Sequence, residues 1–548
     1  MLNKQELRLS LLPIFTKIAA KFGVPWHTLG RKFQREAIIG QIEIMFNKEF
    51  PVIEQASKTL DIIFLAYLGC FQGNNIIQIT LAKLLKERGH RIRFLLCDIE
   101  LPICETTDIT THSNRKAICE YQEKHLRSLF GRTDFEIIWL TDILPIAEIE
   151  ALKEQLNSDR WDTYVESKLL RYFKVGVLDR THPLFHEFFE RARHAALISA
   201  KMGEAVAQLK PDRVMFSHGT YTTRGPAKDV LNESGIPILS ISRAKMAESQ
   251  KFNWKTAGDW WSVDKTWEEV SGIPLNKKQE ELIDDYLLSR RNHTRDIIIY
   301  NKTGEKEREA TIKQLNLDPE KSVVTLFTNV LWDAASAQRE IAFSNSVEWT
   351  LETISWFANN PDKQLIVRIH PAENIIGTNQ PMIQLIREHF TDEIPENVIL
   401  LDSGAPVNSW SLLKITDIGL VHTSTVGMEL SLEGIPCVCV SKTHYRDKGF
   451  TIDVKSKEEY FDILSSGISS FDKELTQTKA KRYAYLLFLR YQLPMPFYNP
   501  VSHISIHSFK ETNWEKITND PVIPFIIKGI EEQTEFVLPD EVVYKIYG

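Results

Sequence analysis

Beginning at residue 61, short runs of consecutive apolar residues alternate with longer stretches in which apolar positions recur every three or four residues. DIIFLAYL (61–68), RIRFLLCD (91–98) and FEIIWL (135–140) read as strands. Runs of that length, bounded by Gly, Asn or Asp, suit a sheet covered on both faces. Between them, 76–88 has helical spacing and Gly89 stops it; two or three helices fill roughly 145–207. RVMFSH (213–218) and IPILSIS (236–242) are strands again, with a helix over 226–233 between them.

The second half repeats this pattern. SVVTLFTNV (322–330), QLIVRIH (364–370), NVILL (397–401), DIGLVH (417–422) and IPCVCVS (435–441) are the strands. Helical patterns over 347–357, 382–389, 409–414 and 427–432 separate them. Helices over 456–468 and 473–491 follow, while 500–548 shows no period that assigns an element. The charged stretch 275–296 reads as a helix and a linker. Strands alternating with helices imply βαβ units and parallel sheets. The expected fold is α/β: two Rossmann-like, doubly wound domains facing a cleft. The expected boundaries are a helical extension over 1–57, a first domain over 58–290, a second over 291–475, and a helix with a tail over 476–548.

Composition narrows the class. At about 150 residues per domain, 548 residues suggest two to four domains. Lys+Arg at 66 against Asp+Glu at 73 gives a formal charge of −7, which argues against a dedicated nucleic-acid binder. Six cysteines with no CxxC pair exclude a disulfide scaffold and point to a reducing cytoplasm. No apolar run reaches the length of a membrane span, and the N-terminus lacks signal-peptide character. Residues 1–35 hold seven basic side chains and one acidic one, with apolar residues at helical spacing among them. Such a segment either packs on the first domain or lies on an anionic membrane surface, peripheral on the inner face of the cell membrane.

In doubly wound sheets, ligands bind beyond the carboxyl ends of strands, near helix N-termini. Three places in the second half fit. In VRIHPAEN (367–374), Pro371 ends the strand and Arg368, His370 and Glu373 follow an apolar run. His370 there either donates to a phosphate oxygen or is satisfied by the backbone, and Glu373 can accept from sugar or ribose hydroxyls. In VHTSTVGMELSLEGIP (421–436), Thr423, Ser424 and Thr425 precede a helix as an anion site or a plain N-cap cluster. Glu429 lies four residues after Thr425, on the same helix face. In SKTHYRDKGF (441–450), Lys442, His444, Tyr445, Arg446 and Lys448 crowd one loop, either to neutralise phosphate or as a solvated surface.

Taken together and in this order, an R-x-HP loop, a strand–TST–helix with Glu, and a G-x-P–strand–basic loop resemble the capsule polysaccharide synthesis family. Its members include Kdo transferases of GT-B architecture. The matching stretches are TLFTNVLWDA (325–334), LIVRIHPAE (365–373) and HTSTVGMELSLEGIPCVCV (422–440), with FSHGTYTTRGPAKDVLNESGIPI (216–238) in the first half. The resemblance covers roughly residues 210–455. It implies a cytoplasmic glycosyltransferase that moves a sugar, Kdo or another nonulosonic-type acid, from a CMP-activated nucleotide-sugar donor to a cell-surface glycan or glycolipid acceptor. It further implies that Arg368, His370, Glu373, Thr423, Ser424, Thr425, Glu429 and Lys442 bind the donor, with His370 at its phosphate and Glu429 at the ribose. No cofactor and no metal are implied: the strand-end loops carry no DxD motif and no Cys/His metal set.

Transfer needs a base or nucleophile facing the anomeric carbon. His218, at the end of the 213–218 strand, is one candidate. Asp333 and Asp98, also at strand ends, are the carboxylate alternatives, and Asp98 reads equally as a helix cap. Tyr221 and Arg224 lie on the acceptor side. The turn GCFQGNN (69–75) would let an acceptor approach closely, but it is not a dinucleotide fingerprint. Two other readings remain on the same scaffold. One is UDP-sugar 2-epimerisation or CDP-polyol phosphotransfer, since variant R-x-HP and TST elements occur in those enzymes. The other is a non-catalytic scaffold in polysaccharide export.

Overall fold

The computed structural model describes residues 26–66, 72–292, 294–296, 304–333, 338–391, 393–468, 470–501 and 506–548. The basic stretch before residue 26 and residues 69–71 of the 69–75 turn lie outside these residues, and the rest of that turn begins the helix Gln72–Glu87. Among the described residues no helix is long and apolar enough to cross a membrane.

The first sheet contains β1 (Asp61–Leu65), β2 (Arg91–Leu96), β3 (Glu136–Trp139), β4 (Arg213–Phe216), β5 (Ile238–Arg243) and β6 (Ser249–Trp254). The second contains β7 (Val323–Phe327), β8 (Gln364–Arg368), β9 (Val398–Leu401), β10 (Ile418–Val421), β11 (Cys437–Cys439) and β12 (Ile452–Asp453). A short β13 (Leu493–Pro494) joins the first sheet. The strand order is β13-β6-β5-β4-β1-β2-β3 in the first and β12-β11-β10-β7-β8-β9 in the second. All pairings in the second sheet are parallel. In the first, β1 to β5 are parallel and β6 and β13 form an antiparallel edge. This is the pair of doubly wound domains expected from the alternating pattern, and it agrees with the GT-B architecture that the resemblance implies.

The apolar runs became strands because these sheets are buried on both faces. Every residue of β7 and every residue of β8 is buried. Strand order reverses between β1 and β4 and between β7 and β10, and such reversals open a crevice at the carboxyl ends of the strands. Both crevices open into the space between the domains. The domains are tied on either side of it. On one side Arg339 pairs with Asp259 at 2.7 Å and its guanidinium stacks over the Trp260 ring. On the other, the Gln380 side chain accepts from the Gly176 and Val177 N–H groups at 3.0 Å.

The boundaries differ from the sequence reading at both ends of the second domain. The stretch read as a helix and a linker contains the helix Lys277–Arg291, whose Ile283, Tyr286 and Arg290 are buried. The region 476–548 is more than a helix and tail. The helix Lys473–Ala484 packs against Val426–Leu432, then widens into a π-helical turn, Tyr485–Arg490, whose Leu486, Leu487, Phe488 and Leu489 are buried. From there the chain crosses to the first sheet as β13. The helix Val522–Glu532 packs on Gln72–Glu87, and its Glu531 pairs with Arg88 at 2.5 Å and His90 at 2.9 Å. The C-terminal residues therefore complete the first domain.

Candidate active site in the interdomain cleft

A cavity of about 510 Å³ lies between the domains, within the range of small-molecule sites. Tyr221 of the first domain and Trp332, Asp333, His422 and Lys442 of the second line it. Three of these, Tyr221, Asp333 and Lys442, were legible as candidates in the sequence. Trp332 and His422 were not named, although His422 ends a strand directly before the TST run.

The second-domain wall is assembled at the β7–β10 reversal. The Asn329 side chain, just after β7, accepts the Thr423 N–H at 3.3 Å. The Thr328 hydroxyl accepts the His370 N–H at 3.0 Å, so the R-x-HP loop is fastened to the same point. His370 Nδ1 accepts the Ala372 N–H at 3.1 Å, which places the proton of a neutral ring on Nε2, as a donor. Burial, with the Lys245 and Arg368 charges, holds this ring down at about 4.

The TST run is arranged less simply than its sequence suggests. Ser424 Oγ accepts the Val426 N–H at 3.4 Å, and its carbonyl accepts from the buried Tyr445 hydroxyl at 2.5 Å. Thr425 occupies the N-cap position without a side-chain cap bond. The Thr423 hydroxyl is buried without a partner among the described residues. Arg368 is 2% exposed, donates from one Nη to the Asp402 carbonyl at 2.6 Å, and leaves Nε and the other Nη without partners among the described residues. Burial pulls its pKa below the usual guanidinium range.

Other expected site residues are occupied elsewhere. Glu429 is taken by Arg290 in a buried ion pair at 2.6 Å, so its ribose role would have to compete with that contact. Asp98 accepts the Thr141 N–H at 3.2 Å and the Thr141 hydroxyl, which engages it with the first turn of the short helix Leu140–Ile143, and it is not among the residues that line the cavity. In the basic loop, Lys442 alone lines the cavity. Arg446 donates to the Cys439 and Val454 carbonyls, Lys448 pairs with Asp264, and His444 bonds Tyr483, so these side chains hold the loop in place.

On the first-domain side, His218 has φ +64°, followed by Gly219 at φ +93°. Its carbonyl accepts the Gly258 N–H at 2.6 Å. Burial, then the Arg224 and Arg171 charges, hold its ring down at about 4. Arg224 is buried at the start of the helix Gly225–Glu233. Arg171 is a cleft cation that the sequence reading did not name. It lies over the Tyr221 ring and near Trp332, and its charge acts on Asp333.

Glu373 is 5% exposed; one oxygen accepts the Met382 N–H at 3.2 Å and the other has no partner among the described residues. Burial pushes its pKa up to about 7. The folded state therefore favours the protonated carboxyl. That stabilisation is complete below the ordinary carboxylate range and is lost as pH rises through about 7. Glu373→Gln, which stays neutral, is expected to match the parent near pH 4 and to exceed its stability by about 3 kcal/mol at pH 8. Denaturant midpoints of both proteins across that range check this. A difference independent of pH would show that the carboxyl ionises freely.

Comparison with known proteins bears on the second domain. Residues 280–492 match the family model described as "Capsule polysaccharide biosynthesis protein". No curated protein matches the chain. Among solved structures, the beta Kdo 2,4 transferase KpsC of Thermosulfurimonas dismutans aligns at 16% identity over 58% of this chain and 87% of that one, with a TM-score of 0.33. The beta Kdo 2,7 transferase KpsC of the same organism aligns at 14% identity over 54% and 83%, with a TM-score of 0.32. UDP-GlcNAc 2-epimerase of Neisseria meningitidis aligns at 10% identity over 77% and 95%, with a TM-score of 0.24. The stretch 216–238 lies outside the family match. Residues 280–492, which carry the R-x-HP loop, the TST turn and the cavity wall they support, are similar to capsule polysaccharide biosynthesis proteins.

Proposed function

We propose that the protein is a glycosyltransferase of capsule-type polysaccharide synthesis, moving a sugar from a CMP-linked donor to a glycan acceptor. One observation carries this reading: the family-matched R-x-HP and TST elements converge at a strand-order reversal beside a cavity walled by both domains. In the proposed reaction an acceptor hydroxyl oxygen forms the new bond to the anomeric carbon. The bond from that carbon to the phosphate oxygen breaks, and the nucleotide leaves with the electron pair. The acceptor proton passes to a base, and we assign Asp333 to that role. His370 Nε2 and Lys442 serve the phosphate as donor and counter-charge. The charge that develops on the leaving phosphate is met by protein cations, so turnover is proposed to persist in EDTA.

Calorimetry with CMP, UDP and CDP-glycerol, followed by transfer assays with the matching donors, tests the proposal. Preferred binding of UDP with epimer formation, or of CDP-glycerol with phosphotransfer, would replace it by the corresponding enzyme. Binding without turnover of any donor would favour the export-scaffold reading.

His370→Ala is expected to weaken CMP binding roughly tenfold to a hundredfold, the worth of one hydrogen bond to a charged group. The phosphate is present in ground and transition states alike, so the Michaelis constant should rise more than turnover falls. Parent-like CMP affinity in this variant would make the R-x-HP loop structural.

A further inference from the structure

His422 is 2% exposed, lines the interdomain cavity, and has no hydrogen-bond partner on either ring nitrogen among the described residues. Leaving both nitrogens of a buried imidazole unmatched is costly. The ring is nonetheless held firmly. Its backbone carbonyl accepts from the Ser441 hydroxyl at 2.5 Å. Its ring centroid lies 6.0 Å from that of Trp349, which is itself anchored by its indole N–H to Tyr460 at 3.1 Å. A second cavity-lining residue shares the feature: Trp332 Nε1 is buried without a partner among the described residues. The same wall thus presents three unmatched ring nitrogens.

Their chemistry selects a ligand. Burial and the Arg339 charge hold the His422 ring down at about 4, so at neutral pH it offers one donor and one acceptor. A phosphate or carboxylate oxygen only accepts and would leave the acceptor nitrogen unmatched. A hydroxyl group both donates and accepts. The indole N–H of Trp332 donates to the same kind of oxygen. We infer that His422, with Trp332, is a specificity-determining subsite that hydrogen-bonds hydroxyl groups of the sugar being transferred, separate from the nucleotide contacts at His370 and the TST turn. This deepens the glycosyltransferase reading and rests on it for the identity of the sugar as donor.

The test compares the full-length parent with His422→Phe, which keeps ring packing on Trp349, and His422→Gln, which restores one donor and one acceptor. Affinities are measured for CMP, CMP-Kdo, UDP and UDP-GlcNAc. In the parent, the ¹³C-labelled His422 ring resonance is followed with the same probes and with free Kdo and free GlcNAc. The Phe variant is expected to lose about 10- to 100-fold in affinity for the nucleotide-sugar that the parent binds, with affinity for the matching nucleotide unchanged. The Gln variant is expected to recover part of the loss. Equal loss for nucleotide and nucleotide-sugar would assign His422 to the nucleotide and overturn the inference, as would no loss for either. If no nucleotide or nucleotide-sugar binds the parent, the proposed function falls. The free sugars then decide the subsite alone: a shifted His422 resonance upholds it, and an unmoved one ends it. If the Phe variant does not fold, the parent resonance and the Gln variant decide in the same way.

Discussion

Asp333→Asn is expected to lower turnover by roughly 100- to 10,000-fold, the usual worth of a general base, with nucleotide affinity nearly unchanged. Asp333 lines the cavity, and the charges of Arg171 and Lys245 act on it from the first domain. In the proposed reaction this carboxylate takes the proton of the acceptor hydroxyl. His218 is the competing base, and its surroundings weaken it. A ring held at about 4 by burial and two arginines loses the advantage an imidazole ordinarily has over a carboxylate as a base, so placement decides between them, and only Asp333 lines the cavity. Its left-handed backbone and its carbonyl bond to Gly258 give it a structural task in the turn after β4. His218→Ala should therefore cost less than about tenfold in turnover. Steady-state kinetics on both variants, with CMP affinity measured alongside, distinguishes the two. A large loss in His218→Ala with a normal Asp333→Asn would return the base to His218.

The sheets were legible because parallel strands buried on both faces must be nearly continuous in apolar residues, as VVTLF in β7 and the core of QLIVR in β8 are. The same rule hid β6. Its SQKFNW sequence buries Ser249, Gln250, Lys251 and Asn253 on the antiparallel side of the sheet, where no apolar run marks it. The C-terminal region was illegible for a different reason. The helix Val522–Glu532 is fixed by packing on Gln72–Glu87, a partner more than four hundred residues away in the chain. The site divides along similar lines. Strand-end position identified His370, Lys442 and Asp333. What distinguishes His422 is the absence of partners for a buried ring, and that depends on every neighbour the fold supplies. Glu429 shows the converse. Its helix-face position beside the TST turn suggested ribose, whereas Arg290, 139 residues earlier, claims it.

Glu429→Ala is accordingly expected to destabilise the fold by about 3 kcal/mol, the lower part of the range for removing one partner of a buried pair. Arg290 and Glu429 are both nearly buried, and the pair joins Lys277–Arg291 to Val426–Leu432. Burial alone would lower the Arg290 pKa. The charges of Glu429 and Asp296 outweigh that effect and raise it, so the cation depends on its carboxylates. Removing Glu429 leaves Asp296, at 2.5 Å, as the remaining countercharge, and Tyr286 still donates to that carboxylate at 2.7 Å. This residual pairing is why the expected loss lies at the low end. Glu429→Gln should lose less, because an amide oxygen still accepts from the guanidinium, though without its charge. Denaturant unfolding of both variants measures the loss, and CMP calorimetry on the folded proteins separates structure from ribose contact. A stable Glu429→Ala protein with CMP affinity reduced tenfold or more would restore the ribose role and make the Arg290 pair incidental.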